Sequence, residues 1–390
     1  MASEQLLRLT RRGPGAVSTA TRHHLRPVAG IMVRSITTDV LIPPHSAQPV
    51  VRQGLTGRSS VSGHVATVFG CTGFLGRYVV NRLGKKGTKV VTPYRCHEDS
   101  KRHLKLMGDL GQIVNFDYDV RNYDQLVAAV KHSDIVYNLV GRDYPTKNFS
   151  FEAVNVTAAR DIAQACTDAG VPRLVHVSAL GADAQSTSGF LRTKALGERA
   201  VREVFPDATI VRPGTLVGYE SNLLNRIGFY RQFLPVVNHN RQILRPVDAA
   251  DVALALDAMM LEPSTTGQTY ELFSAKPYTY QDILDICSAA FRERVHAINV
   301  PKPIMKAVTA MLQYWYYPQL SPDEVERMFI DQVPTALNDP SIKTFADLGI
   351  QPRNFELTVL PYIRHFRRAA LTDLGLDQEG ARTFGKHHSS

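Results

Sequence analysis

"VATVFGCTGFLGRYVV", residues 65–80, decides the fold. An apolar run of five residues breaks at Gly70, passes Gly73 and Gly76, and continues with helical spacing through "FLGRYVVNRLGKKG" (74–87). A strand that turns through glycines straight into a helix is the context in which a Gly-rich motif carries meaning. The first glycine permits the tight turn, the second lets a pyrophosphate approach the backbone, and the third lets helix and strand pack closely. Pyrophosphate then rests on the unpaired N–H groups of the helix N-terminus. The spacing is GxxGxxG rather than GxGxxG, and Thr72, Phe74 and Leu75 complete the predicted phosphate turn.

Outward from this stretch the pattern repeats. Strand-like segments at 89–95, 113–120, 134–141, 173–181 and 208–218 alternate with helix-like segments at 99–111, 122–132, 151–170 and 188–200. Strands separated by helices of this length are βαβ units, so the spacing predicts an α/β fold with a Rossmann-type, doubly wound parallel sheet. Beyond 220 the rhythm loosens. "LNRIGFYRQFLPVV" (224–237), "DAADVALALDAMM" (248–260) and "YTYQDILDICSAAF" (278–291) read as helices, and "GQTYELFS" (267–274) as a strand. The expected organisation is a presequence at 1–36, a linker at 37–62 and an NADP(H)-binding Rossmann domain at 63–220. A smaller C-terminal lobe at 221–390 follows, with return segments to the Rossmann domain and a tail.

The end of the second strand indicates which nucleotide binds. An acid there pairs with the ribose hydroxyls of NAD, whereas an arginine accommodates the 2′-phosphate of NADP. "KVVTPYRC" ends in Tyr94 and Arg95, with no acid until Glu98. The guanidinium fork matches phosphate oxygens, so NADPH is the expected cofactor; the competing reading of Arg95 is a solvated surface side chain. Asp119 and Val120 end the third strand, where an adenine edge and ring would lie. Leu139, Val140 and Gly141 end the fourth, and Pro213 the sixth, all beside the expected cofactor path.

Composition narrows the classes further. The chain has 390 residues, 44% hydrophobic and 21% charged, which suits a globular protein with a sizeable core. Cys71, Cys96, Cys166 and Cys287 lie far apart with no CxxC or Cys/His spacing, which argues against a disulfide framework or a metal site. The net charge of +9 is uneven: residues 1–36 hold six arginines, no lysine and one acid, and thus most of the surplus. That composition is expected of a mitochondrial presequence, the competing reading being a basic tail. No basic cluster follows, so no nucleic acid is expected as partner, and no apolar run is long enough to span a membrane.

Several segments together carry a resemblance. "GCTGFLG" (70–76), "DV" (119–120), "VNV" (154–156), "VHVSALG" (175–181), Lys194, "IVRPG" (210–214) and "RPVDAADVALAL" (245–256) resemble an atypical short-chain dehydrogenase/reductase. More narrowly, over residues 60 to 370 and with the tail pattern "FADLGIQPRNFELTVLPYIRHFRR" (345–368), the chain resembles the family of nucleotide-binding accessory subunits of mitochondrial respiratory complex I. The resemblance implies tightly held NADPH without turnover. It also implies other complex I subunits as partners, and a peripheral place on the matrix side of the inner membrane near the junction of the two arms. It puts the catalytic serine position on Ser178 and the lysine position on Lys194. The catalytic tyrosine position falls on Phe190, one helical turn before Lys194. Phenylalanine holds no proton, so no catalytic residue is expected; Lys194 and Ser178 remain useful for holding the nicotinamide end. Two other readings stand beside this one: an active reductase using another acid, such as Tyr144 or a bound water, and a free nucleotide-ratio sensor. Finally, "KPIMKAVTAMLQYWYYP" (302–318) reads as an amphipathic helix. Its apolar stripe is Ile304, Val308, Met311, Leu312 and Trp315, with Lys302 and Lys306 at its start. It suits a membrane interface or a membrane-arm subunit, the competing reading being packing on its own lobe.

Overall fold

A computed structural model describes residues 61–95, 97–315 and 320–367. The expected presequence, nearly all of the linker and the aromatic end of 302–318 lie outside the described residues.

Seven strands form one sheet: β1 Val65–Phe69, β2 Lys89–Tyr94, β3 Ile113–Asp117, β4 Ile135–Asn138, β5 Arg173–Val177, β6 Thr209–Pro213 and β7 Thr269–Leu272. Their spatial order is β3-β2-β1-β4-β5-β6-β7, and every neighbouring pair is parallel. The winding direction reverses between β1 and β4, which opens a crevice at the carboxyl ends of those strands. The helices are α1 Phe74–Lys85, α2 Tyr123–Val130, α3 Ala158–Asp168, α4 Gly189–Val204, α5 Asn222–Phe229, α6 Ala249–Leu261, α7 Tyr280–Phe291, α8 Lys302–Trp315, α9 Pro322–Arg327 and α10 Phe355–Ile363.

A parallel sheet buries both faces, and consecutive residues of a strand serve opposite sides. Val68 joins a core with Val79, Leu83, Leu256 and Met259 beneath α1 and α6, while its neighbour Phe69 joins Leu126, Ile162 and Val201 beneath α2, α3 and α4. A third core, with Leu224, Ile227, Ile283, Phe291, Val359 and Ile363, holds the C-terminal part together.

Several elements differ from their reading in the sequence. Residues 99–111 contain only a 3₁₀ turn and the short helix Arg102–Lys105. "GQTYELFS", by contrast, is a strand as expected, and it supplies β7, the outer strand of the main sheet. The helix expected over 224–237 ends at Phe229, and Leu234–Val236 is a strand paired with Ala297–Asn299. Pro235 cannot continue a helix, and Leu234 and Val236 bury as alternate residues of a strand do. The sixth predicted strand breaks at Gly214, beyond which Thr215–Val217 pairs with Pro246–Asp248. A Cβ at Gly214 would lie 2.2 Å from the Arg245 carbonyl oxygen, so this crossing needs glycine.

The "VDAAD" and tail segments meet. Asp248 caps α6 by accepting the Ala250 N–H at 2.9 Å, and it also accepts the Tyr362 hydroxyl at 3.0 Å. Asp251 accepts both the backbone N–H of Arg353 (2.7 Å) and its Nε (3.0 Å). Burial of these carboxylates is offset by caps and ion pairs, which is what buried charge requires.

Candidate functional site

The phosphate turn divides its work among its glycines. Gly70 sits at φ +78°, the left-handed region that glycine tolerates, and a Cβ there would press on the Leu139 backbone at 3.0 Å. Gly76 lies under the turn, and its Cβ would stand 2.2 Å from the Gly70 carbonyl oxygen. Gly73 is different. It is the N-cap of α1, with ordinary φ, and a Cβ there would meet only that oxygen, at 3.2 Å. Its other side faces a cavity of about 200 Å³. No side chain caps α1 and no acid occupies its first turn, so the positive end of the helix is left for an anion.

That cavity gathers Gly70, Thr72, Gly73, Tyr94, Arg95, Val120, Leu139, Val140 and Gly141 from the ends of β1, β2, β3 and β4. Leu75 does not line the cavity, because its side chain packs into the core that α6 also helps to bury. Phe74 and Pro213 line a second cavity instead. Asp119 is exposed and turns back on its own loop, accepting the Arg121 N–H at 3.0 Å.

At the mouth of the first cavity lie residues the sequence reading missed. The guanidinium carbons of Arg95 and Arg121 stand 4.7 and 4.3 Å from the ring centroid of Phe149. Arg142 joins them in lining an open hollow, which Asp117 and Asp119 also border. The hollow at the β2 end thus sets three arginines beside two carboxylates, Asp117 and Asp119. Arg121 and Arg142 had no signal in the sequence, since they follow β3 and β4 and meet Arg95 only through strand order.

The second cavity, of about 400 Å³, lies between the ends of β5 and β6 and the C-terminal lobe. Ser178 and Phe190 both line it. The Ser178 Oγ is buried without a hydrogen-bond partner. Lys194 is 5% exposed and donates from Nζ to the Val177 carbonyl at 3.0 Å. The same Nζ lies against Gly141, where a Cβ would come within 2.7 Å of it. Burial lowers the ammonium to about 8, with Glu198 acting in the opposite direction. Lys194 thus sits beside the first cavity and Ser178 in the second.

Phe190 packs against Arg327. Its ring lies 4.6 Å from the guanidinium carbon of Arg327, a cation–π contact. The start of α4 is held from the same helix as Arg327, α9: Asp323 accepts the Gly189 N–H at 2.6 Å and the Ser188 hydroxyl at 2.9 Å. Tyr144, the alternative acid, lines neither cavity and stacks with Arg142 at 5.1 Å. The phenol in the second cavity belongs to Tyr280, whose pKa burial raises. Among the described residues, no group of His, Cys, Asp or Glu is placed to hold a metal ion.

Strand order, glycine turn and crevice together define an NAD(P)-binding Rossmann protein of the short-chain dehydrogenase/reductase type. A profile described as NAD(P)H-binding matches residues 70–258. The Citrobacter triphenylmethane reductase, solved with NADP(H), superposes with a TM-score of 0.60 at 17% identity, covering 76% of this chain and 99% of that one. Among curated proteins, the Neurospora crassa mitochondrial NADH-ubiquinone oxidoreductase 40 kDa subunit is 44% identical over 343 residues, 87% of this chain and 89% of its own length. The rat mitochondrial NADH dehydrogenase [ubiquinone] 1 alpha subcomplex subunit 9 is 41% identical, covering 82% and 84%. The chain belongs to this family of complex I 40 kDa, or alpha subcomplex subunit 9, proteins.

Proposed function

We propose that this chain is a non-catalytic accessory subunit of mitochondrial complex I that holds NADPH as a fixed part of its structure. In this reading it sits peripherally on the matrix side of the inner membrane, near the junction of the two arms, against other complex I subunits. The observation that carries the reading is a complete phosphate turn combined with a proton-free ring at position 190.

The residues present fit the dinucleotide. Gly73 leaves room where pyrophosphate must approach, and α1 presents uncapped N–H groups toward it. Arg95, with Arg121 and Arg142 nearby, would take the 2′-phosphate, and Val120 would lie against the adenine. Lys194, beside Gly141, would exchange its Val177 carbonyl for ribose hydroxyls. Bound NADPH would offer a hydride, but Phe190 cannot supply the matching proton, help that is worth roughly 10²–10⁴-fold in rate. Helix α8 supports a second contact, with the membrane surface or a membrane-arm subunit, because much of its apolar stripe is exposed.

Nucleotide released from the purified full-length chain tests the assignment. NADP(H) in stoichiometric yield is expected, and recovery of NAD alone overturns it. Arg95→Ala should weaken NADPH about 10- to 100-fold, the cost of a lost charge-assisted bond, with little effect on NADH. Steady NADPH oxidation with a panel of carbonyl compounds would instead favour an active reductase. Absence from the assembled complex on native gels would favour a free sensor.

A further inference from the structure

The C-terminal part carries an aromatic and basic surface outside both cavities. Helix α5 runs out into "FYRQF" (229–233), a turn closed by the Phe233 N–H donating to the Tyr230 carbonyl at 2.9 Å. Phe229 is 69% exposed and Phe233 71%, and between them lies a hollow of about 310 Å³ that Tyr230, Arg231 and Gln232 also line. The turn is held in place. Arg231 donates from Nη1 to the Gly228 carbonyl at 3.1 Å, and its own carbonyl accepts the His296 N–H at 2.8 Å. The Phe229 ring meets Phe366 edge-on at 5.0 Å, and Phe366 also packs on Phe291, the last residue of α7. Large rings fixed in exposed positions around a hollow mark an interaction site, which singly scattered apolar residues do not.

Arginines border that hollow. Arg367 donates from Nε to the Ala290 carbonyl at 2.7 Å, which brings residues 364–367 beside the end of α7. Burial, and then the positive charges of Arg292 and Arg364, lower the Arg367 guanidinium below its ordinary value, so three like charges stand within reach of one another. Arg294 and Arg364 are exposed. Among the described residues of this surface the one carboxylate is Glu293, which pairs with Arg231 at 3.3 Å and so ties residues 292–294 to the edge of the hollow. The next acids along α7 and α10 are Asp285 and Glu356, about two helical turns back. They accept from Gln281 at 3.0 Å and from Lys276 at 2.7 Å. The surface is therefore positive.

We infer that a neighbouring subunit docks here through an acidic segment, which seats an apolar side chain between Phe229 and Phe233 and sets carboxylates on the arginines. The hollow is concave, so it receives a side chain as interface pockets receive their anchors. Its cations are arginines: arginine and aromatic residues are enriched and lysine depleted where proteins meet, and the guanidinium fork matches carboxylates. A second copy of this chain would set arginines against arginines across a two-fold axis. The inference rests on the accessory-subunit reading and adds a surface that shares no residue with α8 or the dinucleotide crevice.

Assembled complex I carrying the photoreactive residue p-benzoylphenylalanine at position 233 tests it. Illumination should crosslink this position to a peptide of another subunit, and that peptide should contain aspartate or glutamate. Arg364→Glu and Phe233→Ser should each lower the amount of chain recovered in the complex by about tenfold or more, the size of a hot-spot loss. The isolated variants should keep their nucleotide and their melting temperature. Changing the crosslinked acid to lysine should restore assembly of Arg364→Glu. A crosslink to lipid, to a second copy or to residues 368–390 of the same chain overturns the inference. Absence of the parent chain from the complex defeats the accessory-subunit reading as well, whereas assembly of both variants at the parent level defeats the docking surface alone.

Discussion

At the residue scale, the three glycines of one turn should respond differently to the same change. Gly73→Val places a branched side chain where pyrophosphate would lie, while the backbone there has ordinary φ and its Cβ would meet only the Gly70 carbonyl oxygen, at 3.2 Å. The expected result is loss of bound NADPH with a nucleotide-free melting temperature close to that of the parent. Gly76→Ala must instead displace the Gly70 carbonyl, which its Cβ would approach to 2.2 Å. It should destabilise the nucleotide-free chain by about 1–3 kcal/mol, the range for overpacking. Urea titration of the two variants separates site from fold, and equal losses in both would contradict this division of labour. Lys194 makes a second prediction. Its folded pKa of about 8 lies below the ordinary lysine value, so between about 8 and 10.5 the unfolded chain holds a proton that the folded chain has released. By linkage, its penalty is complete below pH 8 and is relieved as pH rises through that window, by on the order of 3 kcal/mol. The urea midpoint of nucleotide-free protein should therefore climb more steeply over that range than that of Lys194→Met. Parallel curves would show that Lys194 titrates as an ordinary lysine.

At the scale of elements, α8 shows how far periodicity reaches. The sequence placed Ile304, Val308, Met311 and Leu312 on one stripe, and the structure leaves that stripe outward, with Ile304 56% and Met311 70% exposed. The face that packs inward is Met305 and Thr309 instead. The two lysines are not free to meet lipid headgroups: Lys302 lies 2.7 Å from Glu326, and Lys306 pairs with the same carboxylate. An exposed apolar stripe rimmed by neutralised charge suits a partner or an interface. Met311→Asp should therefore leave the unfolding free energy within about 0.5 kcal/mol of the parent, as surface changes do, while reducing liposome flotation or incorporation into the complex. Unchanged association in both assays would remove α8 from the contact surface.

At the scale of the molecule, NADPH should act as a folding ligand. At 100-fold excess over its dissociation constant it adds about 2.7 kcal/mol to the native state, a large share of a typical stability. Gly73→Val should accordingly lower both the melting temperature in NADPH and the amount of assembled complex I. Phe190→Tyr restores a phenol one turn before Lys194 and should leave NADH-to-quinone electron transfer intact, since the expected role of this nucleotide is structural. Respiration measured on mitochondria carrying each variant checks the pair. Normal assembly with Gly73→Val would mean that the nucleotide is no structural support.

The strand–turn–helix of 65–80 and the alternation of strands and helices that follows it were legible in the sequence, because each depends on residues close together in the chain. What only the tertiary structure decided involves residues far apart. Arg121 and Arg142 join Arg95 through the strand order, β7 completes the sheet from the C-terminal part, and Arg226 meets Glu324 across 98 residues. The surroundings of Phe190 belong to the same class: Asp323 and Arg327 reach it from more than 130 residues away. Local pattern fixes which segments become helices and strands, since their hydrogen bonds and apolar spacing are short-range. The contents of a cavity are set by which segments the folded core brings face to face.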